Sequence, residues 1–285
     1  MATDISQRIE KGYSGFSKGQ KKIANAIINE YDKTAYMTAG KLGDFVGVSE
    51  STVVRFASEL GYEGYAEFQS AVQELVRAKL TPNQRIELTK QRMSDADIVE
   101  SAMLSDINKI RATMETLDKD AFHGAIDAIL DAKRCYIMGA RSSDTLARLL
   151  AYNLSLAFDN VKHIQPMSNA EIYEQLFYIG EGDVVIAFSF PRYSSKMVNA
   201  VKFAKQNGAT VIVFTDSSLS PIAEYASYLL LAQSDMAAFM DSFVAPMSII
   251  NAMIISITNK REREIRQRFD KLEQIWDEYG VYAKR

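Results

Sequence analysis

Cysteine and histidine are scarce in this sequence. Its 285 residues include one cysteine, Cys135, and two histidines, His123 and His163. A disulfide needs two cysteines, and a zinc site usually needs three or four clustered Cys or His ligands. We therefore predict no disulfide, no metal site and no cofactor. Since Cys135 lies inside the apolar run CYIM, we expect it to be an inert thiol in the core.

The sequence also lacks an apolar run of the length that a membrane span requires. Its most apolar stretches, DVVIAFSF and APMSIINAMIISI, are too short or are interrupted by polar residues. The first ten residues, MATDISQRIE, have no signal-peptide pattern. We therefore expect a globular, cytoplasmic protein without a membrane partner.

Positive charge is not in excess. The formal net charge is −3, from 33 Lys and Arg against 36 Asp and Glu. Proteins that coat nucleic acid without sequence preference are usually basic, so the charge excludes that class. Residues 1–80 are neutral, and any DNA binding by them must depend on where single charges lie.

The distribution of apolar residues predicts two domains of different class. Residues 1–80 show helical periodicity, and the pattern predicts helices near 3–12, 17–31, 38–46, 49–60 and 64–79. The polar segment 81–95, with Pro82, predicts a linker. Residues 96–285 begin with helices near 96–117 and 119–131 and end with a helical region at 239–279. Between them, five β-rich runs alternate with helical stretches, which is typical of a five-stranded parallel sheet flanked by helices.

The stretch GVSESTVVRF, residues 47–56, places a turn glycine and a serine N-cap before an amphipathic helix. Val53 and Phe56 fall on its apolar face, and Ser51 and Arg55 fall opposite. A short helix precedes this tight turn, so the pattern predicts a helix-turn-helix whose second helix enters a major groove. The candidate DNA contacts are Ser51, Thr52 and Arg55 for the bases, the capping residue Ser49, and Lys18, Lys21, Lys22, Lys33 and Lys41 for the phosphates.

An ordinary helical bundle would show the same amphipathic helix, but the residues that follow are more specific. The segment VSESTVVRFASELGYEGYAEFQ resembles the N-terminal domain of the RpiR/MurR family of bacterial transcription regulators. The residues that match are Val48, Ser49, Thr52, Val53, Arg55, Phe56, Leu60, Gly61, Tyr62 and Gly64. Gly40 and Gly43 put flexible residues in the first helix of the pair, which costs helix stability.

Two loops in the second domain follow predicted strands and open helices. One is GARSSDTL after CYIM, and the other is SFPRYSSKM after DVVIAF. Hydroxyls, backbone N–H groups and a cation at such places bind phosphate or carboxylate groups, although serines there can also be simple helix caps. The candidate ligand-binding residues are Ser142, Ser143, Ser189, Arg192, Ser194 and Ser195.

Both loops resemble those of the sugar isomerase (SIS) domain, a phosphosugar-binding parallel sheet. The segment NGATVIVFTDSSLSPIAEYASYLLLA adds to the resemblance through Thr215, Asp216, Ser217 and Pro221. The usual second loop reads Ser-x-Ser-Gly-x-Thr, whereas this chain has Pro191 and Arg192, which remove a backbone donor and add a bulky cation. Arg192 either binds the anion directly or pairs with Asp241.

The combined resemblance implies a transcriptional regulator at the nucleoid. Such a protein is expected to bind double-stranded operator DNA as a homodimer or a dimer of dimers, with its affinity modulated by a phosphosugar or related anion. The helix near 96–117 is the natural link between the two domains. A sugar-phosphate isomerase of the SIS fold is the alternative, with His163, Glu171 and Glu174 as candidate bases. A protein-binding module is a third possibility.

Overall fold

The computed structural model describes residues 5–79, 83, 86, 97–165, 168–234 and 240–283. The chain divides into two compact units, residues 1–85 and 86–285. The predicted linker, 81–95, lies outside the described residues except for Asn83 and Ile86. No helix in the described ranges is long and apolar enough to cross a membrane.

The first unit is helical throughout its described residues. Its helices are α1 (Ile5–Gly12), α2 (Lys18–Asn29), α3 (Tyr31–Thr34), α4 (Ala39–Val46), α5 (Glu50–Glu59) and α6 (Tyr65–Lys79). Aromatic side chains form the centre of its core, where Phe56 meets Phe16 with ring centroids 5.1 Å apart and Phe68 with centroids 5.9 Å apart. Both contacts are edge-to-face, a favourable geometry for aromatic rings.

The second unit contains a five-stranded parallel sheet with strand order β2-β1-β3-β4-β5. The strands are β1 (Cys135–Gly139), β2 (Val161–Ile164), β3 (Val184–Phe188), β4 (Thr210–Thr215) and β5 (Tyr228–Leu231). The helices are α7 (Ile98–Thr116), α8 (Lys119–Asp131), α9 (Asp144–Ala157), α10 (Asn169–Gln175), α11 (Ser195–Gln206), α12 (Val244–Lys260) and α13 (Glu262–Glu278). The predicted fold class is confirmed.

Helices cover both faces of this sheet. On one face, strand residues such as Ile137 and Ile186 pack against α8, α9 and α12. On the other face, Met138 and Val185 pack against α10 and α11. The inner strands are buried on both faces, which explains why their sequences are continuous apolar runs without alternation. Cys135 lies in this core, as predicted, and burial raises the pKa of its thiol to about 12.

An ion pair between the buried Asp183 and the partly exposed Arg134 lies at the amino-terminal edge of the sheet. Asp183 precedes β3 and is 1% exposed, and it accepts hydrogen bonds from Arg134 Nε at 3.0 Å and Nη2 at 2.7 Å. Arg134 precedes β1, so the pair joins the starts of two neighbouring strands. The opposite, carboxyl-terminal edge carries the loops from which α9 and α11 begin.

Candidate functional site

The helix-turn-helix forms in the first unit because α4 and α5 are joined by three residues. Gly47 adopts a left-handed conformation, with φ +69°, that favours glycine, and its N–H donates to the carbonyls of Gly43 and Asp44. A Cβ at Gly43 would lie 2.8 Å from the carbonyl oxygen of Val48. Gly43 is therefore the residue that allows the turn to close against α4, which accounts for a glycine inside that helix.

The amino-terminal end of α5 carries a cluster of hydroxyl groups. Ser49 caps the helix by accepting a hydrogen bond from Thr52 N at 3.3 Å. Its Oγ also shares hydrogen bonds with Ser51 Oγ at 2.9 Å and Thr52 Oγ1 at 2.8 Å. Arg55 donates from Nε to Ser51 O at 3.2 Å, which draws its exposed guanidinium toward this end of the helix. The predicted apolar face is confirmed, since Val53 and Phe56 are fully buried.

The charges around α5 leave cations facing solvent and hold acids against the protein. Lys18, Lys22 and Lys41 are exposed, whereas Lys21 is half-buried with Nζ 5.6 Å from the centre of the Tyr13 ring. Lys33 pairs with Glu30 at 2.8 Å. The carboxylate of Glu50 lies over α4, with Oε2 3.4 Å from the position of a Cβ on Gly40, and Glu59 accepts a hydrogen bond from Gln20.

In the second unit, the two predicted anion loops flank the point where the strand order reverses. The first loop follows β1 and the second follows β3, and β1 and β3 are neighbours in the sheet. In open sheets of this type, ligands bind outside the carboxyl ends of the strands at such a switch point. The structure therefore brings the two loops to one edge of the sheet, at the place where a ligand is expected.

The first loop is tightly built. A Cβ at Gly139 would lie 2.6 Å from Ser143 O and 2.9 Å from Asp144 N, so glycine is required where β1 ends. Arg141 has a left-handed backbone, with φ +56°, and it opens a 3-10 turn that leads into α9. Ser142 is exposed and Ser143 is buried. Asp144 accepts hydrogen bonds from His163 Nε2 at 2.8 Å and Arg148 Nε at 2.6 Å.

The second loop is fixed by contacts on two sides. Tyr193 donates from its hydroxyl to Asp216 Oδ1 at 2.9 Å, at the end of β4. Phe190 packs on Phe243, with ring centroids 5.5 Å apart. Ser189, directly before Phe190, is 3% exposed and its Oγ is without a hydrogen-bond partner among the described residues.

The remaining predicted residues of the second loop lie between these anchors or directly after them. Ser194 is the N-cap of α11 and Ser195 is its first residue. Pro191 and Arg192 are joined by a cis peptide bond, and Arg192 is exposed. Both roles of Arg192, anion binding and pairing with Asp241, stay predictions.

The serines in these loops differ from other helix caps in the chain. Ser143 and Ser194 are the N-caps of α9 and α11, yet neither makes a side-chain capping bond. Every other Ser, Thr or Asp for which the structure describes an N-cap position does make one: Ser17, Thr38, Ser49, Asp97, Asp118 and Ser168. The interpretation of the loop serines as simple caps is therefore wrong for Ser143 and Ser194.

One buried hydroxyl group, that of Ser220, was not among the candidates predicted from the sequence. Ser220, in the loop after β4, is 2% exposed, and its Oγ is the second partnerless buried hydroxyl among the described residues. Its segment, DSSLSP, contains three serines, and no pattern in it marks Ser220 as different. A buried polar group without a partner is rare and costly, so both Ser189 and Ser220 are groups that a ligand or water would satisfy.

The candidate bases of an isomerase have other roles in this structure. Glu171 forms a capping box with Ser168, and hydrogen bonds from the side chain and then the backbone of Ser168 hold the pKa of Glu171 below its ordinary value. His163 is bonded to Asp144, and Glu174 is exposed on α10. Within the described ranges, no group of three or more His, Cys, Asp or Glu could hold a metal ion.

Polar contacts join α7 to the loop that follows β5. Asp106 accepts from Ser242 Oγ at 2.7 Å and from Lys109 Nζ at 3.3 Å, and Lys109 is only 6% exposed. Thr113 Oγ1 accepts from Gln233 N at 2.9 Å. Ser242 precedes Phe243, the ring that contacts Phe190 of the second anion loop. A continuous set of contacts thus runs from that loop to α7.

Comparisons with known proteins support both units. Residues 3–79 match the model of the helix-turn-helix domain of the rpiR family, and residues 128–270 match that of the SIS domain. An uncharacterised HTH-type transcriptional regulator of Haemophilus influenzae is 26% identical over 80% of this chain and 79% of its own length. The HTH-type transcriptional regulator HexR of Escherichia coli is 23% identical over 96% of this chain and 95% of its own length.

Solved structures show the same fold. The NanR protein of Vibrio vulnificus, solved in complex with ManNAc-6P, covers 98% of this chain and 99% of its own with a TM-score of 0.63 at 18% identity. The sugar isomerase domain of an RpiR transcription factor from Sphaerobacter thermophilus covers 62% of this chain and 99% of its own, with a TM-score of 0.60 at 21% identity. With an rpiR-type helix-turn-helix followed by an SIS domain, and with relatives named as regulators, the chain belongs to the RpiR/MurR family of transcriptional regulators.

Proposed function

We propose that this regulator binds a near-palindromic DNA operator through α5 and that a sugar phosphate or a related anion, bound between the loops after β1 and β3, changes its operator affinity. The ligand proposal rests on one observation, which is that the hydroxyl groups of the loop serines lack the hydrogen bonds expected of them. Ser143 and Ser194 start helices without capping them, and the hydroxyl of Ser189 is buried without a partner. These donors lie beside the switch point of the sheet.

The chemistry of these loops fits a phosphate monoester. Its oxygens accept hydrogen bonds, and the serine hydroxyls and the first N–H groups of α11 are donors. Arg192 adds a cation to the second loop. The structural neighbour NanR was solved with ManNAc-6P, which supports a sugar phosphate as the ligand class.

The DNA proposal depends on the outward side of α5. Small hydroxyl side chains and Arg55 occupy this side, and the exposed Lys18, Lys22 and Lys41 lie on α2 and α4. A Cβ at Gly19 of α2 would lie 3.4 Å from Val48, so α2 packs beside the turn that precedes α5. The helices α2 and α4, which pack against α5, thus carry cations that would contact phosphates and fix the register of α5 in the groove.

We also propose that the protein acts as a homodimer. One side of α7 carries apolar residues that face solvent, including Val99, Met103 and Met114 at 66%, 63% and 66% exposure. Their spacing of four and eleven residues places them in one stripe. A contiguous exposed apolar stripe marks an interaction site, and a second copy of the stripe is a self-complementary partner for it.

The test measures operator and ligand binding together. The full-length chain would select an operator from random duplex DNA, and fluorescence anisotropy would report its affinity with and without a panel of sugar phosphates. We expect one compound to change the affinity by about 5- to 150-fold. The double change Ser189→Ala and Ser194→Ala should remove that response without weakening binding of the ligand-free protein to DNA.

Controls separate this function from catalysis. Ser155→Ala, an exposed serine that bonds within its own helix, should respond like the unchanged protein. No sugar phosphate should be converted, as followed by proton NMR. Turnover that disappears in Glu171→Gln would contradict the regulator-only proposal, and an unchanged response in the double variant would place the ligand elsewhere.

A further inference from the structure

The outward side of α5 is mainly polar but includes one apolar residue, Val54. Val54 is 38% exposed, whereas the adjacent Val53 is fully buried. Residues 51, 54, 55 and 58 have the spacing of one helix face, so Val54 lies among Ser51, Arg55 and Ser58. Single exposed apolar residues are common on protein surfaces, and its exposure alone therefore carries no conclusion.

The surroundings of Val54 make its position specific. Both serines beside it are exposed and short, so they leave room for a close approach to a flat partner. The acidic side chains of α5 are drawn elsewhere, since Glu50 lies over α4 and Glu59 is bonded to Gln20. Val54 therefore lies on a face with small neighbours and the cation Arg55, on a helix that packs against the lysine-bearing α2 and α4.

Thr52 cannot take the role of an apolar base contact. It is half-buried, its hydroxyl is bonded to Ser49, and its Cγ2 is 3.7 Å from the position of a Cβ on Gly19 in α2. Its methyl group is thus used in packing between α2 and α5. Among the residues of α5, Val54 is the one that presents exposed methyl groups on the outward side.

Major-groove chemistry offers one matching partner. The 5-methyl group of thymine is the one apolar group that a standard base pair presents there, and it is read by apolar side chains. A valine has no donor or acceptor, and its branched side chain is restricted in rotation. We propose that Val54 reads the methyl group of a thymine in each operator half-site, beside the base that Arg55 contacts. This inference rests on the proposed function, in which α5 enters the major groove.

The experiment removes a single methyl group from the DNA. In the selected operator, each thymine would be replaced in turn by deoxyuridine, which keeps the base-pairing groups and lacks only the 5-methyl group. Loss of one methyl contact should weaken binding by the full-length protein about fourfold at one position in a half-site, which corresponds to about 0.8 kcal/mol. Val54→Ala should weaken binding to the thymine operator by a similar factor.

The decisive comparison combines the two changes. If Val54 contacts the methyl group, Val54→Ala should bind the thymine and the deoxyuridine operator equally at that position. Val281→Ala, a change of another exposed valine, should keep the full sensitivity to deoxyuridine. The inference would be overturned if Val54→Ala and the deoxyuridine replacement each weakened binding fourfold and their effects multiplied when combined. It would also be overturned if no deoxyuridine replacement weakened binding by the unchanged protein.

The results for Arg55→Ala and Val54→Ala distinguish failure of this inference from failure of the proposed DNA-binding function. Sequence-specific binding that Arg55→Ala weakens and Val54→Ala leaves unchanged would retain α5 as the reading helix and reject Val54 as a methyl contact. Failure of the full-length chain to select any duplex sequence would reject both. Circular dichroism of Val54→Ala would verify folding, and the deoxyuridine scan on the unchanged protein needs no variant.

Discussion

Serine residues at helix starts in this protein differ in what their hydroxyl groups bind, and at Ser143 the backbone explains the difference. Ser49 and Ser168 have extended backbones, with ψ values of 152° and 167°, from which a side chain reaches the free N–H groups of its helix. Ser143 has a helical backbone, with ψ −19°, because a 3-10 turn runs directly into α9. Its hydroxyl therefore makes no capping bond to α9.

This difference predicts unequal effects on stability. Ser168→Ala removes a capping box and should lower the free energy of unfolding by about 1 kcal/mol. Ser194→Ala removes no capping bond and should change it by less than about 0.5 kcal/mol. Urea denaturation of both variants measures the difference. An equal loss in the two would mean that Ser194 caps α11 in solution.

The sequence could not separate these serines. Ser49, Ser143 and Ser194 each directly precede a helix, and residue type alone does not fix the backbone angle of an N-cap. Similarly, a glycine inside a helix is expected to destabilise it, so the sequence alone gives no reason for Gly43. The structure gives the reason, because the carbonyl of Val48 in the turn lies against Gly43. The positions of the candidate residues were predictable, but their hydrogen bonds were not, because those depend on contacts with distant segments.

The two sides of the helix α7 meet different surroundings. One side is polar and is bonded to the loop after β5 through Asp106 and Thr113, and the buried Lys109 is bonded to Asp106 within the helix. The other side carries the exposed apolar stripe. A ligand that moves the second anion loop also acts on Phe243, and hence on the bond from Ser242 to α7. Movement of this helix relative to the sheet is a suitable two-state change for a regulator.

We expect Ser242→Ala to weaken the communication between the two binding sites. It removes the hydrogen bond to Asp106 but no group in either site, so affinities for ligand alone and for operator alone should change little. The coupling free energy between them should fall by about 0.5–2 kcal/mol, as measured by titrating operator at saturating ligand. Ser248→Ala, whose hydroxyl bonds only within α12, is the control. Full coupling in Ser242→Ala would exclude this route.

Most elements could be predicted because their patterns are strong. Four of the five strands are mainly apolar runs bounded by polar or turn residues, whereas β2, VKHI, contains two polar residues. The predicted runs match all five strands to within about two residues at each end. The prediction for the helical region at 239–279 was less accurate. The structure has two helices there, α12 and α13, separated at Arg261, which has non-helical angles of φ −122° and ψ 29°. The local sequence, NKRERE, contains no glycine or proline that would predict this break.

At the scale of the whole molecule, a symmetric operator requires two reading helices at a fixed spacing. A single α5 offers few base contacts, and a monomer bound to a half-site should be weak and strongly dependent on salt. Joining two such helices makes the second binding event intramolecular, which raises the overall affinity by orders of magnitude without any new contact. Operator binding and dimerisation are therefore expected to be lost together.

The variant Met103→Glu with Met114→Glu tests this dependence. Two carboxylates in the apolar stripe of α7 should prevent close packing of two copies, because a buried unpaired charge is costly. Analytical ultracentrifugation should show a monomer, and operator affinity should fall at least tenfold. Phe177→Glu changes an exposed apolar residue just after α10, on the opposite face of the sheet, and should remain dimeric. A dimeric double variant would place the interface elsewhere.

The single thiol, buried at the start of β1, has a practical consequence. Because Cys135 is enclosed and stays protonated near neutral pH, it should not react with maleimide dyes, and the sequence offers no second native sulfhydryl. One cysteine introduced at the carboxyl end of α5 would therefore accept a fluorophore with no need to remove the native one. Energy transfer between two labelled subunits would then report how far apart the paired helices lie as sugar phosphates are added.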